Sequence, residues 1–138
     1  MTGLVMIPDS INGVKVSFAE TVVRNVAPRM LQALTHVLHQ HITPDLELTE
    51  VYISSAFDSH AMPSRHAQAK AVDLSRVNGK KMSVYYNNDP FVSQLVYILQ
   101  RRFETFEHRR ENFGPAVQWK LGEPFNIVHD DHIHWSVN

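Results

Sequence analysis

The chain has 138 residues, 43% apolar and 20% charged, with a formal net charge of −1 at pH 7. That length suits one domain able to bury a core without staples, and the near-neutral charge excludes a chain steered as a whole to nucleic acid. With no cysteine there are no disulfides, thiolate ligands or thiol nucleophiles, so any metal must be held by histidine and carboxylate.

The opening MTGLVMIPDS lacks the basic start and apolar core of a secretory signal, and no run approaches a membrane span. The expectation is a chain that is cytosolic at synthesis and does not insert into a membrane. Ser17 to Glu20 has the spacing of a capping box, which predicts a helix from Phe18. Pro28 then forces a kink or a fresh start, with the main helix running to about His41. Met30, Leu31, Leu34, Val37 and Leu38 form its core stripe. His36, His39 and His41 crowd its end, where imidazoles interact well with the helix dipole and need no metal.

Glu47 to Phe57 alternates as a strand anchored by Leu48, Val51 and Ile53, and Asp58 to Arg65 follows as a loop. Asn78-Gly79 is a strong hairpin signal joining Ala71–Val77 to Lys80–Tyr85. Asp89 caps and Pro90 opens a second helix, whose stripe of Phe91, Leu95, Ile98, Leu99, Phe103 and Phe106 predicts an end near His108. Arg101, Arg102, Arg109, Arg110 and Glu111 read most simply as its solvated face and exit, the alternative being a grip on anionic wall polymers. Asn112 to Pro115 is a turn, Ala116 to Lys120 a strand, and His132 to Val137 a final strand. The sum is a single α+β domain with two main helices and a mostly antiparallel sheet, its site placed where the hairpin and the last strand are neighbours.

Two clusters carry chemistry: Ser64-Arg65-His66 running to Asp73, and His129-Asp130-Asp131-His132-Ile133-His134-Trp135. Small residues between His66 and Asp73 permit a tight turn that aims both at one point. On a strand, His132 and His134 face one side and Ile133 the other. Three protein ligands with an open fourth position make a catalytic zinc site, and the expected set is His66, Asp73 and His134 around one Zn²⁺. Manganese or iron also suits such a set.

At these residues the chain resembles the superfamily of zinc D,D-carboxypeptidases and L-alanyl-D-glutamate endopeptidases, which includes Hedgehog domains. Its pattern is Ser-x-His-x-x-Gly-x-Ala-x-Asp, followed later by an acidic residue three before the last zinc histidine. Ser64, His66, Ala71 and Asp73 match, Ala69 stands in place of the glycine, and Asp131 precedes His134 by three. The resemblance spans roughly residues 50 to 138. It implies a Hedgehog-like fold and a peptidoglycan hydrolase that cuts an amide bond of the stem peptide, as endopeptidase or D,D-carboxypeptidase. It also implies Asp131 as general base for the zinc-activated water and His132 as donor to the oxyanion. If the loop register differs, Asp130 becomes the base and His132 a ligand, with His129 a further competitor.

Ser64 is a substrate or loop-orienting residue by family match, and Arg65 by position alone. His60 is either an exposed loop residue or a substrate contact compensating for Asp58, which stands where relatives carry a substrate-binding arginine. Trp135 fits the aromatic that often follows the last zinc histidine, and it and Trp119 either line a groove or pack the core. The expected partner is a peptidoglycan peptide met by a monomer, with action on the cell wall after release in the manner of a phage lysin or after processing. A competing reading is a non-catalytic wall-binding or virion module that keeps the fold and metal site. A phosphoesterase with paired histidine motifs lacks its second motif and is set aside.

Overall fold

The computed structural model describes residues 3–57, 68–127 and 129–138. The strands are β1 (Val5–Met6), β2 (Ser10–Ile11), β3 (Val14–Phe18), β4 (Asn25–Val26), β5 (Glu50–Ser55), β6 (Ala71–Val77), β7 (Lys80–Lys81), β8 (Arg109–Phe113), β9 (Gln118–Lys120), β10 (Glu123–Pro124) and β11 (Ile133–Val137). The helices are α1 (Pro28–Val37), α2 (Met82–Tyr85) and α3 (Pro90–Phe103). Among the described residues the chain is a small single-domain α+β protein dominated by sheet. The main sheet runs β10-β9-β8-β11-β6-β5-β3-β2, with β7 paired to β6, and β1 and β4 form a separate ribbon. All pairs are antiparallel except β3 with β5.

Helix starts follow the proline chemistry. Pro28 opens α1, and Asp89 caps α3 by accepting from the Phe91 and Val92 amides at 3.0 and 3.4 Å. Both helices end earlier than the apolar spacing predicts. Arg102 accounts for α1: its Nε and guanidinium nitrogen donate to the Val37 and His36 carbonyls at 2.9 and 3.1 Å, satisfying acceptors that a helix end leaves orphaned. The core face of α3 is Val92, Leu95, Val96, Leu99 and Phe103, while Phe91 is 64% exposed. The helix expected at Phe18 is instead the end of β3, where Ser17 donates to Glu50 of β5 and not to a helical amide. Asn12-Gly13 makes a second Asn-Gly hairpin, between β2 and β3, with both residues at positive φ (50° and 81°). Lys80–Tyr85 is a strand only at Lys80–Lys81 and then turns helical.

The largest correction concerns residues 109–113. Arg109, Arg110 and Glu111, expected as the solvated exit of a helix, and Asn112 and Phe113, expected in a turn, together form β8, paired with the C-terminal strand β11. Pairing of β6 with β11 places the hairpin beside the last strand, as expected. Val72, Leu74, Ile133, Trp135 and Val137 are fully buried on the face packed by α1 and α3. By the alternation of a pleated strand, Asp73, His134, Ser136, Glu111 and Phe113 share the opposite face. No helix among the described residues is long and apolar enough to cross a membrane.

Candidate functional site

Asp73 and His134 are direct register partners on β6 and β11. Asp73 Oδ1 lies 2.9 Å from His134 Nδ1, and the other ring nitrogen, Nε2, lies 3.0 Å from Glu111 Oε1 on β8. Ser136 Oγ donates to the same Glu111 oxygen at 2.7 Å. The three side chains are 14 to 20% exposed, so the interaction is poorly screened. Phe113, the register partner of His134, stacks on its ring at 5.8 Å and touches the His129 ring at 5.4 Å, forming an apolar floor under both imidazoles.

The carboxylates determine the charge of His134. Burial alone lowers its pKa, but its hydrogen bonds to the Asp73 and Glu111 carboxylates, and their charges, raise it to about 9. Glu111 is held down at about 2, first by the hydrogen bond from His134, against the upward push of burial and with further help from Ser136 and from the charges of His134 and Arg110. His134 therefore stabilises the metal-free fold fully below its unfolded value near 6.5 and loses that contribution as pH rises through about 9. Glu111 contributes fully above 4.5 and loses its share as pH falls through about 2. Both shifts report largely one hydrogen-bonded pair, so about 3 kcal/mol is at stake, counted once. In urea melts with chelator present, stability should be flat between these limits and fall on each side. A midpoint unchanged from pH 6 to 10 would contradict the charged His134.

Asp131 and His132 form a second pair at the edge of this face, with Oδ1 2.6 Å from Nδ1. His129 is close by, its ring 4.9 Å from that of His132 and 6.0 Å from that of His134. Burial, then the charges of His132 and His134, lower its pKa. Its Nδ1 is buried with no hydrogen-bond partner among the described residues. An imidazole kept neutral beside Asp73 and His134 is an unused donor atom of the kind metal sites recruit.

An open cleft of about 560 Å³ begins here, lined by Asp73, Asp131 and His132 at one end and by Arg76 and Lys81 farther along, with Ser54, Ser55, Ser75 and Ser83. Two β-bulges shape it. Ile53 pairs with Leu74 and Val51 with Val77, all in the core, so both Ser75 and Arg76 are left on the Asp73 face. The register also slips between Ile53 and Ser55, bringing Ser54 and Ser55 together to the same side.

Of the residues expected from sequence, Asp73, His134, Asp131 and His132 come together. His60, Ser64, Arg65 and His66 lie outside the described residues, as does Asp58. Trp135 is a correction: its indole is fully buried, stacked 5.1 Å from Phe103, and donates to Asn112 Oδ1 at 2.9 Å, so it belongs to the core and not to a substrate groove. Sequence reasoning missed Glu111, because in Arg-Arg-Glu-Asn-Phe the residue facing the core, Asn112, is itself polar and no apolar alternation marks the strand.

Carboxylate plus imidazole is a donor set that zinc accepts, and a ligating histidine commonly gives its other N–H to a carboxylate. Asp73 Oδ1, His134 Nδ1 and the Glu111 hydrogen bond fit that arrangement. Among the described residues no three histidine or acidic side chains form a metal-binding group on their own. Compared with models of protein families and with curated protein sequences, the chain matches none.

Proposed function

We propose that the chain is a zinc-dependent peptidase with a Hedgehog-like fold that hydrolyses an amide bond in peptidoglycan stem peptides. The reading is carried by Asp73 and His134 facing each other at 2.9 Å on paired strands while Glu111 takes the second nitrogen of His134. Ala69 adds support: it sits at φ 59°, a left-handed conformation that suits glycine, and it occupies the glycine position of the motif. Asp73 and His134, joined by His66, would hold the ion. When bound there, zinc supplies Lewis acidity that lets water ionise near neutral pH and polarises the scissile carbonyl.

The remaining work falls to the chain's own groups. Asp131 takes the proton of the attacking water and delivers it to the leaving amine. Its neighbour His132, whose Nδ1 lies 2.6 Å from the Asp131 carboxylate, donates from Nε2 to the developing oxyanion. Trapping the substrate in a cleft, and not on a flat surface, lets these groups stay aligned through the reaction.

Metal analysis together with incubation on purified peptidoglycan tests the reading. One zinc per chain and release of free amines are expected, with release stopped by chelator and lowered at least about a hundredfold in Asp131→Ala. The alternative is a wall-binding module that keeps the same metal site without turnover. Tight zinc binding with no amine released from any wall preparation would select it.

A further inference from the structure

The cleft is electrically divided. Asp73 and Asp131 lie at one end, and the only cations lining it among the described residues, Arg76 and Lys81, lie at the other. These two are register partners across the β6–β7 hairpin, so they present their charges side by side. Neither has a carboxylate partner among the described residues, although several other cations of the chain do: Arg24 pairs with Asp9, Lys80 with Asp89 and Arg109 with Glu104. Arg76 is nonetheless held in place, its guanidinium 4.2 Å above the ring of Tyr52, its register partner on β5. A stacked guanidinium keeps its in-plane donors available, the geometry suited to a carboxylate. Strict alternation would have turned Arg76 toward the core; the bulge after Leu74 places it on the Asp73 face instead.

We infer that Arg76 and Lys81 form a carboxylate-binding subsite that anchors an acidic peptide in the cleft, with hydroxyls of Ser75 and Ser83 supplying the remaining hydrogen bonds. This rests on the peptidase reading above for the identity of the peptide but not for the anion site itself. Three residues of strand separate Asp73 from Arg76, about 10 Å. An extended substrate advances about 3.5 Å per residue, and both cations have long stems, so the bound carboxylate belongs to a residue one to three positions from the scissile amide. On the peptidase reading Arg76 and Lys81 supply the cation that the resembling enzymes carry at the sequence position of Asp58, and the preferred substrate is a stem peptide whose acidic groups are free and not amidated.

Binding to the metal-free full-length chain tests this without relying on turnover. The probes are a synthetic stem peptide with free carboxylates and the same peptide with those carboxylates amidated, measured by titration calorimetry at low and high salt. The acidic peptide should bind about tenfold tighter than its amide, an advantage that shrinks with salt and vanishes in Arg76→Gln/Lys81→Ala. Lys81→Ala alone, an exposed change that leaves the Arg76 stack intact, should lose part of it. With zinc added, the double variant should show a raised KM for the acidic peptide, an almost unchanged kcat, and no change toward the amide. Equal binding of the two peptides, no binding of either, or a preference that survives in the double variant would overturn the subsite. If the preference is present but zinc brings no hydrolysis, the peptidase reading fails and the subsite stands.

Discussion

His134→Ala should lower amide hydrolysis by about a thousandfold or more, equivalent to about 4 kcal/mol at the transition state, and bring zinc content well below one per chain. On the proposed reading the substitution removes a metal ligand; in the fold it leaves Asp73 and Glu111, now without the imidazole between them, as neighbouring carboxylates on a partly buried face. Losing one partner of a buried charge cluster costs about 3–5 kcal/mol, so the variant should also melt earlier in the absence of metal. Loss of activity alone would therefore be ambiguous. Glu111→Gln separates the two effects, because glutamine keeps an acceptor for His134 Nε2 and for the Ser136 hydroxyl while removing the charge. It should weaken zinc binding by about 10- to 100-fold with little loss of activity at saturating zinc. Wild-type zinc affinity in Glu111→Gln would make Glu111 a purely structural partner, and full activity in His134→Ala would end the metallopeptidase reading.

Trp135→Ala should destabilise the fold by about 4 kcal/mol in urea unfolding, among the costliest single changes available. The ring is fully buried, stacks on Phe103 with an interplanar angle of 6°, and its Nε1 donates to Asn112 Oδ1. Asn112 in turn accepts from Gln100 Nε2 at 3.0 Å and donates to the Gln100 carbonyl at 2.8 Å and to Glu104 at 2.9 Å. Gln100 closes the circuit through the Ala116 and Val117 amides, tying α3 to the turn after β8. Removing the indole opens a cavity and takes a donor from a buried network at the same time. Trp135→Phe should cost less, about 1–2 kcal/mol, since the ring stack survives and Asn112 Oδ1 keeps Gln100. A loss below about 1 kcal/mol in Trp135→Ala would show that this network does not hold α3 on the sheet. Reduced turnover in a fully stable Trp135→Phe would return the residue to the substrate groove.

These two residues are adjacent in sequence yet face opposite sides of one strand, and they mark how far the sequence alone could be read. Alternation predicted that His132 and His134 would face away from Ile133, and Ile133 is fully buried while both histidines are half-buried. The same alternation, carried one residue further, decides between the two places the sequence left open for Trp135, groove or core: its ring is buried against Phe103. Ser17 shows the reverse. Its capping-box spacing is sound local chemistry, but pairing of β3 with β5 satisfies the same backbone groups within the sheet.

What the sequence determined by itself are the features set by one or two residues: helix starts at Pro28 and Pro90, the turn at Asn78-Gly79, and the outward face shared by the C-terminal histidines. The motif led to the expectation that Asp73 meets His134 across 61 positions of chain, but tertiary structure alone decided that Glu111 supports the far side of the ring and that two bulges turn Arg76 and a pair of serines into one cleft. Strand register is a property of pairs of distant segments, and a one-residue slip moves a side chain to the other face, so neither partner's sequence carries the answer without the other.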